Sequence, residues 1–99
     1  MKLVIVGARA DGLAHGVLDL LAVSGEHEAV AFLDDTPALQ GTEVLGLPVL
    51  GPAAEIGRAQ ALGAEGAVIA IGAPRARERL GALIRDAGLG LPPLVHPSA

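Results

Sequence analysis

Apolar residues in this chain form short runs that are separated by glycine-rich, more polar segments. Three such runs, at positions 3–6, 28–33 and 66–71, consist mainly of Val, Ile, Leu and Ala. Runs of this length and composition are typical of strands that are buried on both faces of a sheet. Each run is followed or closed by a glycine or an acidic residue, namely Gly7, Asp34 and Gly72. The sequence therefore predicts three buried strands.

Helical patterns follow these strands. Apolar residues at positions 13, 17, 20 and 21 predict a first helix that ends at Ser24-Gly25, because glycine is common just after a helix. Pro52 favours the first turn of a short helix over residues 53–62, which Gly63 would end. A further helix is predicted over residues 73–87. Strands and helices therefore alternate along the chain.

Two segments are predicted to be less regular. Residues 38–51 contain three glycines and a proline. They are expected to form a loop whose extended pieces make an edge hairpin or cover the sheet. Near the end of the chain, Pro92-Pro93 interrupts an apolar run, so that only Leu94-Val95 is expected to pair as a last strand.

The alternation of strands and helices predicts an α/β fold, with a small Rossmann-like parallel sheet flanked by helices, in a single domain over residues 1–99. In sheets of this kind, ligands bind beyond the carboxyl ends of the strands. Three strand ends carry candidate groups, at residues 7–12, at Asp34-Asp35 and at Gly72-Ala73. We expect them to converge on one crevice.

Composition excludes several classes of function. The formal net charge is −4 and only 1% of the residues are aromatic, so a nucleic-acid partner is not expected. The absence of cysteine excludes disulfides, a thiolate nucleophile and a cysteine metal site. The first strand begins too early to leave space for a signal peptide, and no apolar run approaches the ~20 residues of a membrane span. A cytoplasmic protein with no membrane partner is expected.

The glycine turn after the first strand has an unusual spacing, with glycines at positions 7, 12 and 16. It matches neither the G-x-G-x-x-G fingerprint nor a Walker A loop. Two interpretations remain open. The backbone N–H groups of the turn and the helix N-terminus face an anion such as a diphosphate, or the turn is purely structural. Arg9, which lies in the turn together with Asp11, either reaches a phosphate or is solvated.

Charged residues near the other strand ends have two interpretations each. Asp34 or Asp35 accepts hydrogen bonds from a ribose, as acidic residues do at this point of Rossmann-like folds, or the pair initiates a turn before Pro37. Arg75 contacts an anion, or it belongs to a solvated helix face with Arg77 and Arg79, paired with Glu78. No spacing suggests a catalytic triad or a pair of catalytic carboxylates.

These motifs together resemble the N-terminal domain of the bacterial sugar O- and N-acyltransferases of sialic-acid and pilin-glycan pathways, the UDP-amino-sugar N-acetyltransferases and their relatives. The resemblance covers nearly the whole chain. It depends on the ordered set VIVGA at 4–8, AFLDD at 31–35, GTEVLGLPVLG at 41–51, VIAIG at 68–72, RARERL at 75–80 and LVHPSA at 94–99.

The resemblance implies a domain that binds a UDP-sugar, with the diphosphate at the glycine turn and the nucleoside between the acidic strand end and the segment after the third strand. The family's compact GASGHG or GAGGHA turn is replaced here by the longer GARADGLAHG. The substrate-binding residues expected in this chain are Gly7, Ala8, Arg9, Ala10, Asp11, Gly12, Asp34, Asp35, Ile71 and Gly72.

In the family, the HPSA segment leads into a left-handed β-helix of hexapeptide repeats, which binds acetyl-CoA and supplies the catalytic histidine. The present chain ends at Ala99. No catalytic residue, metal or cofactor is therefore expected within it, and acetyl-CoA would belong to the missing domain. His96 precedes that domain and is not expected to be the catalytic base.

Four functions follow as alternatives. The first is a binding module for a UDP-linked amino-sugar that is not catalytic alone. The second is the substrate-binding half of a split acetyltransferase, whose partner is a separate hexapeptide-repeat chain. The third is a regulatory Rossmann-like domain that binds NAD(H) or CoA. The fourth is a domain that has lost its ligand and forms a homodimer through an exposed sheet edge.

Overall fold

Three parallel strands in the order β2-β1-β5 form the centre of the protein. The structure is a computed structural model that describes residues 1–8, 14–25, 27–71 and 73–90. Within these residues the strands are β1 (Lys2–Val6), β2 (Glu28–Leu33), β3 (Glu43–Val44), β4 (Leu47–Pro48) and β5 (Gly66–Ile69). The helices are α1 (Ala14–Ser24), α2 (Ile56–Ala61) and α3 (Pro74–Asp86), and a 3₁₀ turn at Ala53–Glu55 precedes α2.

The central strand β1 pairs with β2 along one edge and with β5 along the other, and both of its faces are covered by packed side chains. Leu3, Val4 and Ile5 are fully buried. Side chains of a strand alternate between faces, so β1 contributes to two core layers. One layer contains Leu3, Ile5, Phe32 and Leu21 of α1. The other packs against α2 and α3 and contains Val4, Val6, Ala31, Leu33, Ile56, Ala59, Leu80 and Ile84.

The α/β fold class and the three buried strands predicted from the sequence are confirmed. The third strand is shorter than predicted, since it ends at Ile69, although the Ala70 N–H still donates to the Val6 carbonyl. The predicted helix over 53–62 is a 3₁₀ turn followed by α2, and the helix predicted over 73–87 is α3. Leu94-Val95, the predicted last strand, lies outside the described residues.

Residues 38–51, which were predicted to be irregular, both form a hairpin and cover the edge of the sheet. The sequence had left these two possibilities open. β3 and β4 form an antiparallel hairpin, and its turn residues Leu45 and Gly46 have φ values of +51° and +85°. Positive φ at both central residues is the geometry of a type I′ hairpin turn. Beyond the hairpin, Val49 bridges Phe32 in parallel and the Leu50 N–H donates to the Phe32 carbonyl at 3.0 Å. The segment thus covers the outer edge of β2.

In the described part of the chain, no helix is both long enough and apolar enough to cross a membrane. The same residues contain no cluster of three or more His, Asp or Glu side chains suited to holding a metal ion.

Candidate functional site at the carboxyl ends of the strands

Gly7 brings the three strand ends into contact. Its N–H, directly after β1, donates to the Leu33 carbonyl at the end of β2 at 2.7 Å. On its other side, a Cβ added to Gly7 would lie 2.9 Å from the Ala70 carbonyl oxygen and 2.9 Å from Cγ1 of Ile71. Its φ of +113° is also one that L side chains rarely adopt. The ends of the three strands therefore lie side by side, and glycine is required where they meet. The predicted convergence of residues 9–12 and Gly72 on one crevice lies outside the described residues.

Asp34 links the first two strand ends. Its carboxylate is part of a residue only 7% exposed, and Oδ2 accepts the Ala8 N–H at 2.7 Å. Its Oδ1 accepts the Thr36 N–H at 2.8 Å, which is the side-chain bond of an Asx turn. The interpretation of Asp34 as a turn initiator is therefore confirmed. The bond to Ala8 adds a contact across 26 residues of sequence.

The Asp35 carboxylate has different partners from the Asp34 carboxylate. Its Oδ1 accepts the Ala53 N–H at 2.9 Å, and its Oδ2 lies 3.7 Å from Nη2 of Arg79. The side chains of Asp35 and Arg79 are 58% and 71% exposed. An ion pair this exposed contributes little to stability, because water screens both charges. The Asp35 carboxylate therefore remains largely exposed to solvent.

Arg77 joins the β5 end to α3. Its Nη1 donates to the carbonyl of Ile71 at 3.2 Å and lies 3.5 Å from that of Ile69. Arg77 and Arg79 are exposed on α3, as in the interpretation of a solvated helix face, and they also have partners at the strand ends. Sequence reasoning missed these contacts because their acceptors become neighbours only through the sheet. Arg75 is exposed in the first turn of α3.

The structure describes the first two residues of the turn after β1, Gly7 and Ala8, and both of their backbone donors have partners within the protein. The Gly7 N–H and the Ala8 N–H both donate to protein oxygens, and the oxygen that Ala8 reaches is a carboxylate. An anion is not attracted to donors that already face a carboxylate. The predictions for Arg9, Ala10, Asp11, Gly12 and Gly72 lie outside the described residues.

The family assignment follows from comparison with known proteins. The pattern of the PglD N-terminal domain matches residues 2–82, which is most of the chain. The chain belongs to the PglD N-terminal domain family. This agrees with the resemblance to sugar acetyltransferases drawn from the motifs. No curated protein sequence matches the chain.

Solved structures support the PglD assignment. A perosamine N-acetyltransferase variant from Caulobacter crescentus, solved with CoA and GDP-perosamine, is 33% identical, with a TM-score of 0.82. PerB from the same organism, solved with the same two ligands, is 34% identical, with a TM-score of 0.80. Each comparison covers 99% of this chain and 44% of the acetyltransferase, so the chain spans less than half the length of these relatives.

A more distant structure shares the fold alone. RSP, a Rex-family repressor, is 16% identical over 89% of this chain, with a TM-score of 0.69. At this identity the likeness carries no information on ligand or function. It shows that the two proteins share the arrangement of the sheet and its flanking helices.

Proposed function

We propose that this domain binds a nucleoside-diphosphate sugar in the crevice at the carboxyl ends of β1, β2 and β5. The observation that carries the proposal is the match over 99% of the chain to the perosamine N-acetyltransferase, whose structure contains GDP-perosamine. The convergence of Ala8, Asp34 and Ile71 at one edge of the sheet supports it, because Rossmann-like sheets bind nucleotides at that edge.

The proposal assigns parts of the crevice to parts of the ligand. The nucleoside lies between the end of β2 and the segment after β5, where Asp35 and Ile71 line the crevice. The diphosphate lies towards the N-terminus of α1 and the turn residues 9–12, since a helix N-terminus favours negative charge. The backbone of Gly7 and Ala8 lies between the nucleoside region and the diphosphate region.

Two nucleosides are candidates for this site, uridine and guanosine. The resemblance to UDP-amino-sugar N-acetyltransferases favours uridine, as expected from the motifs. The GDP-perosamine complexes of relatives that are 33% and 34% identical favour guanosine. We propose guanosine, because the solved relatives that contain GDP-perosamine align with 99% of this chain.

The domain supplies the substrate-binding part of a sugar N-acetyltransferase under this proposal and is not catalytic alone. The acetyl-CoA site would lie on another domain or on a separate hexapeptide-repeat chain. The cytoplasm is the proposed location. None of the 99 residues is proposed to carry out acetyl transfer.

Calorimetric titration of the protein with GDP, UDP, acetyl-CoA and NAD tests the proposal. We expect GDP or UDP to bind, and acetyl-CoA and NAD to give no heat of binding. The variant Ile71→Glu replaces a half-buried apolar side chain with a carboxylate. It should weaken nucleotide binding at least about tenfold, because the nucleoside loses an apolar contact and would bury an unpaired charge.

Leu62→Glu is the matched control for this titration. It makes a similar change at a site that is 48% exposed, next to Gly63 and away from the crevice. It should bind nucleotide as the wild-type protein does, and circular dichroism verifies that both variants fold. Binding of NAD or acetyl-CoA with neither nucleotide would contradict the proposal.

A further inference from the structure

Arg79 and Asp35 come from different elements and meet beside the carboxyl end of β2. Asp35 follows β2, and Arg79 lies in the second turn of α3, the helix that follows β5. Nη2 of Arg79 is 3.7 Å from Oδ2 of Asp35, which is an ion-pair distance but is too long for a hydrogen bond. Both side chains are more than half exposed. The guanidinium and this carboxylate oxygen therefore keep hydrogen-bonding capacity for a third group.

The carboxylate of Asp35 is held in place by the backbone. Its Oδ1 accepts the Ala53 N–H at 2.9 Å, which anchors the carboxyl group to the segment before α2. Because each carboxylate oxygen has two lone pairs, Oδ1 can accept a second donor without losing this bond. Asp35 thus presents two acceptors side by side, and Arg79 adds donors next to one of them. The order along this edge is donor, acceptor, acceptor.

Guanine has the edge that complements this order. Its Watson–Crick edge presents the O6 acceptor, the N1–H donor and the N2 amino donor in a row. A carboxylate can accept N1–H and N2–H in two parallel hydrogen bonds, while a guanidinium donates to O6. Uracil has a single donor, N3–H, between two carbonyl oxygens, so one of these oxygens would lie against the carboxylate. This repulsion disfavours uracil.

We infer that Arg79 and Asp35 select guanine, with the guanidinium on O6 and the carboxylate on N1–H and the N2 amino group. The inference rests on the proposed function and deepens it, because it names two side chains that determine which base the crevice accepts. A contact of Asp35 with the ribose would be different in kind, since it would not distinguish one base from another.

Inosine diphosphate (IDP) tests the carboxylate contact, because IDP is GDP without the N2 amino group. In calorimetric titrations, the wild-type protein should bind GDP at least about tenfold more tightly than IDP, which is the effect of losing one hydrogen bond to a charged acceptor. UDP should bind still more weakly than IDP. Equal affinities for GDP and IDP would overturn the inference and leave the proposed function standing.

Asp35→Asn changes the acceptors and leaves the backbone bond in place. The amide oxygen can keep the Ala53 N–H, so that the amide nitrogen, a donor, replaces Oδ2. GDP binding should weaken at least about tenfold, and the preference for GDP over IDP should fall below about twofold. If Asp35 bound the ribose instead, the variant would weaken both ligands equally and the preference would persist, which would overturn the inference.

Arg79→Ala tests the second contact. GDP and IDP both carry O6, so this variant should weaken both at least about fivefold and keep the preference for GDP. Unchanged GDP binding, or loss of the preference, would overturn the contact of Arg79 with the base. Arg85→Ala is the matched control, because it makes the same change at an exposed position in the last turn of α3 and should bind both ligands as the wild-type protein does.

Circular dichroism verifies that each variant folds, and the comparison of GDP with IDP on the wild-type protein needs no variant. If the wild-type protein binds neither GDP nor UDP, the proposed function fails and the inference fails with it. If it binds UDP as tightly as GDP, the selection of guanine by Arg79 and Asp35 is overturned, while nucleotide binding stands.

Discussion

Gly7→Ala should destabilise the domain by roughly 3 kcal/mol, which combines the strain of a positive φ with steric overlap. The added Cβ would lie 2.9 Å from the Ala70 carbonyl oxygen, and a backbone atom cannot move away as a flexible side chain can. For a domain of this size the melting temperature should fall by about 12 °C or more. Thermal unfolding followed by circular dichroism measures the change.

Gly16→Ala is the control for this substitution. Among the described residues, a Cβ added at Gly16 in α1 meets no atom within 4 Å apart from the backbone of its own helix. Alanine favours a helix over glycine by roughly 0.5–1 kcal/mol, so this variant should melt at a higher temperature than the wild-type protein. Equal and small effects of the two substitutions would show that the close approach at Gly7 is not required.

Phe32→Ala should destabilise the domain by roughly 3–5 kcal/mol, the range for removing a buried aromatic ring. Phe32 is the only aromatic residue of the chain and is fully buried in the layer beneath α1. A domain of this length has a total stability of roughly 5–15 kcal/mol, so the loss is a large fraction of it. Urea denaturation measures the free energy of unfolding directly.

Val23→Ala provides the comparison for Phe32→Ala. The Val23 side chain on α1 is 68% exposed, and alanine is the better helix former, so its free energy of unfolding should stay within about 0.5 kcal/mol of wild type. A Phe32→Ala variant that is as stable as Val23→Ala would mean that the layer beneath α1 is not a packed core.

The sheet was predictable from the sequence because its signal is local. The run at residues 3–6 is apolar at every position, which only a strand covered on both faces requires, and β1 is that strand. Gly25 and Gly63, which the sequence assigned to helix ends, both have positive φ values and follow α1 and α2. Patterns of spacing and end signals therefore placed the elements within a few residues.

The hydrogen bonds and ion pairs of the candidate site were not predictable in the same way. Asp34 and Ala8 are separated by 26 positions, and the pair Asp35–Arg79 by an even longer stretch of chain. Nothing in the local pattern around Arg79 distinguishes it from a solvated arginine. Only the packing of α3 against the sheet brings it to Asp35, and only the sheet register brings Asp34 to Ala8.

The central claim, nucleotide binding at the carboxyl ends of the strands, is tested most directly by an NMR titration of the labelled protein with GDP and, separately, with UDP. The claim predicts saturable shifts of the amide signals of Ala8, Asp35 and Ile71, with the signals of Gly25 and Glu65 unchanged. These last two residues line a cleft at the opposite end of the sheet. Shifts confined to that cleft, or no saturable shift with either nucleotide, would contradict the account.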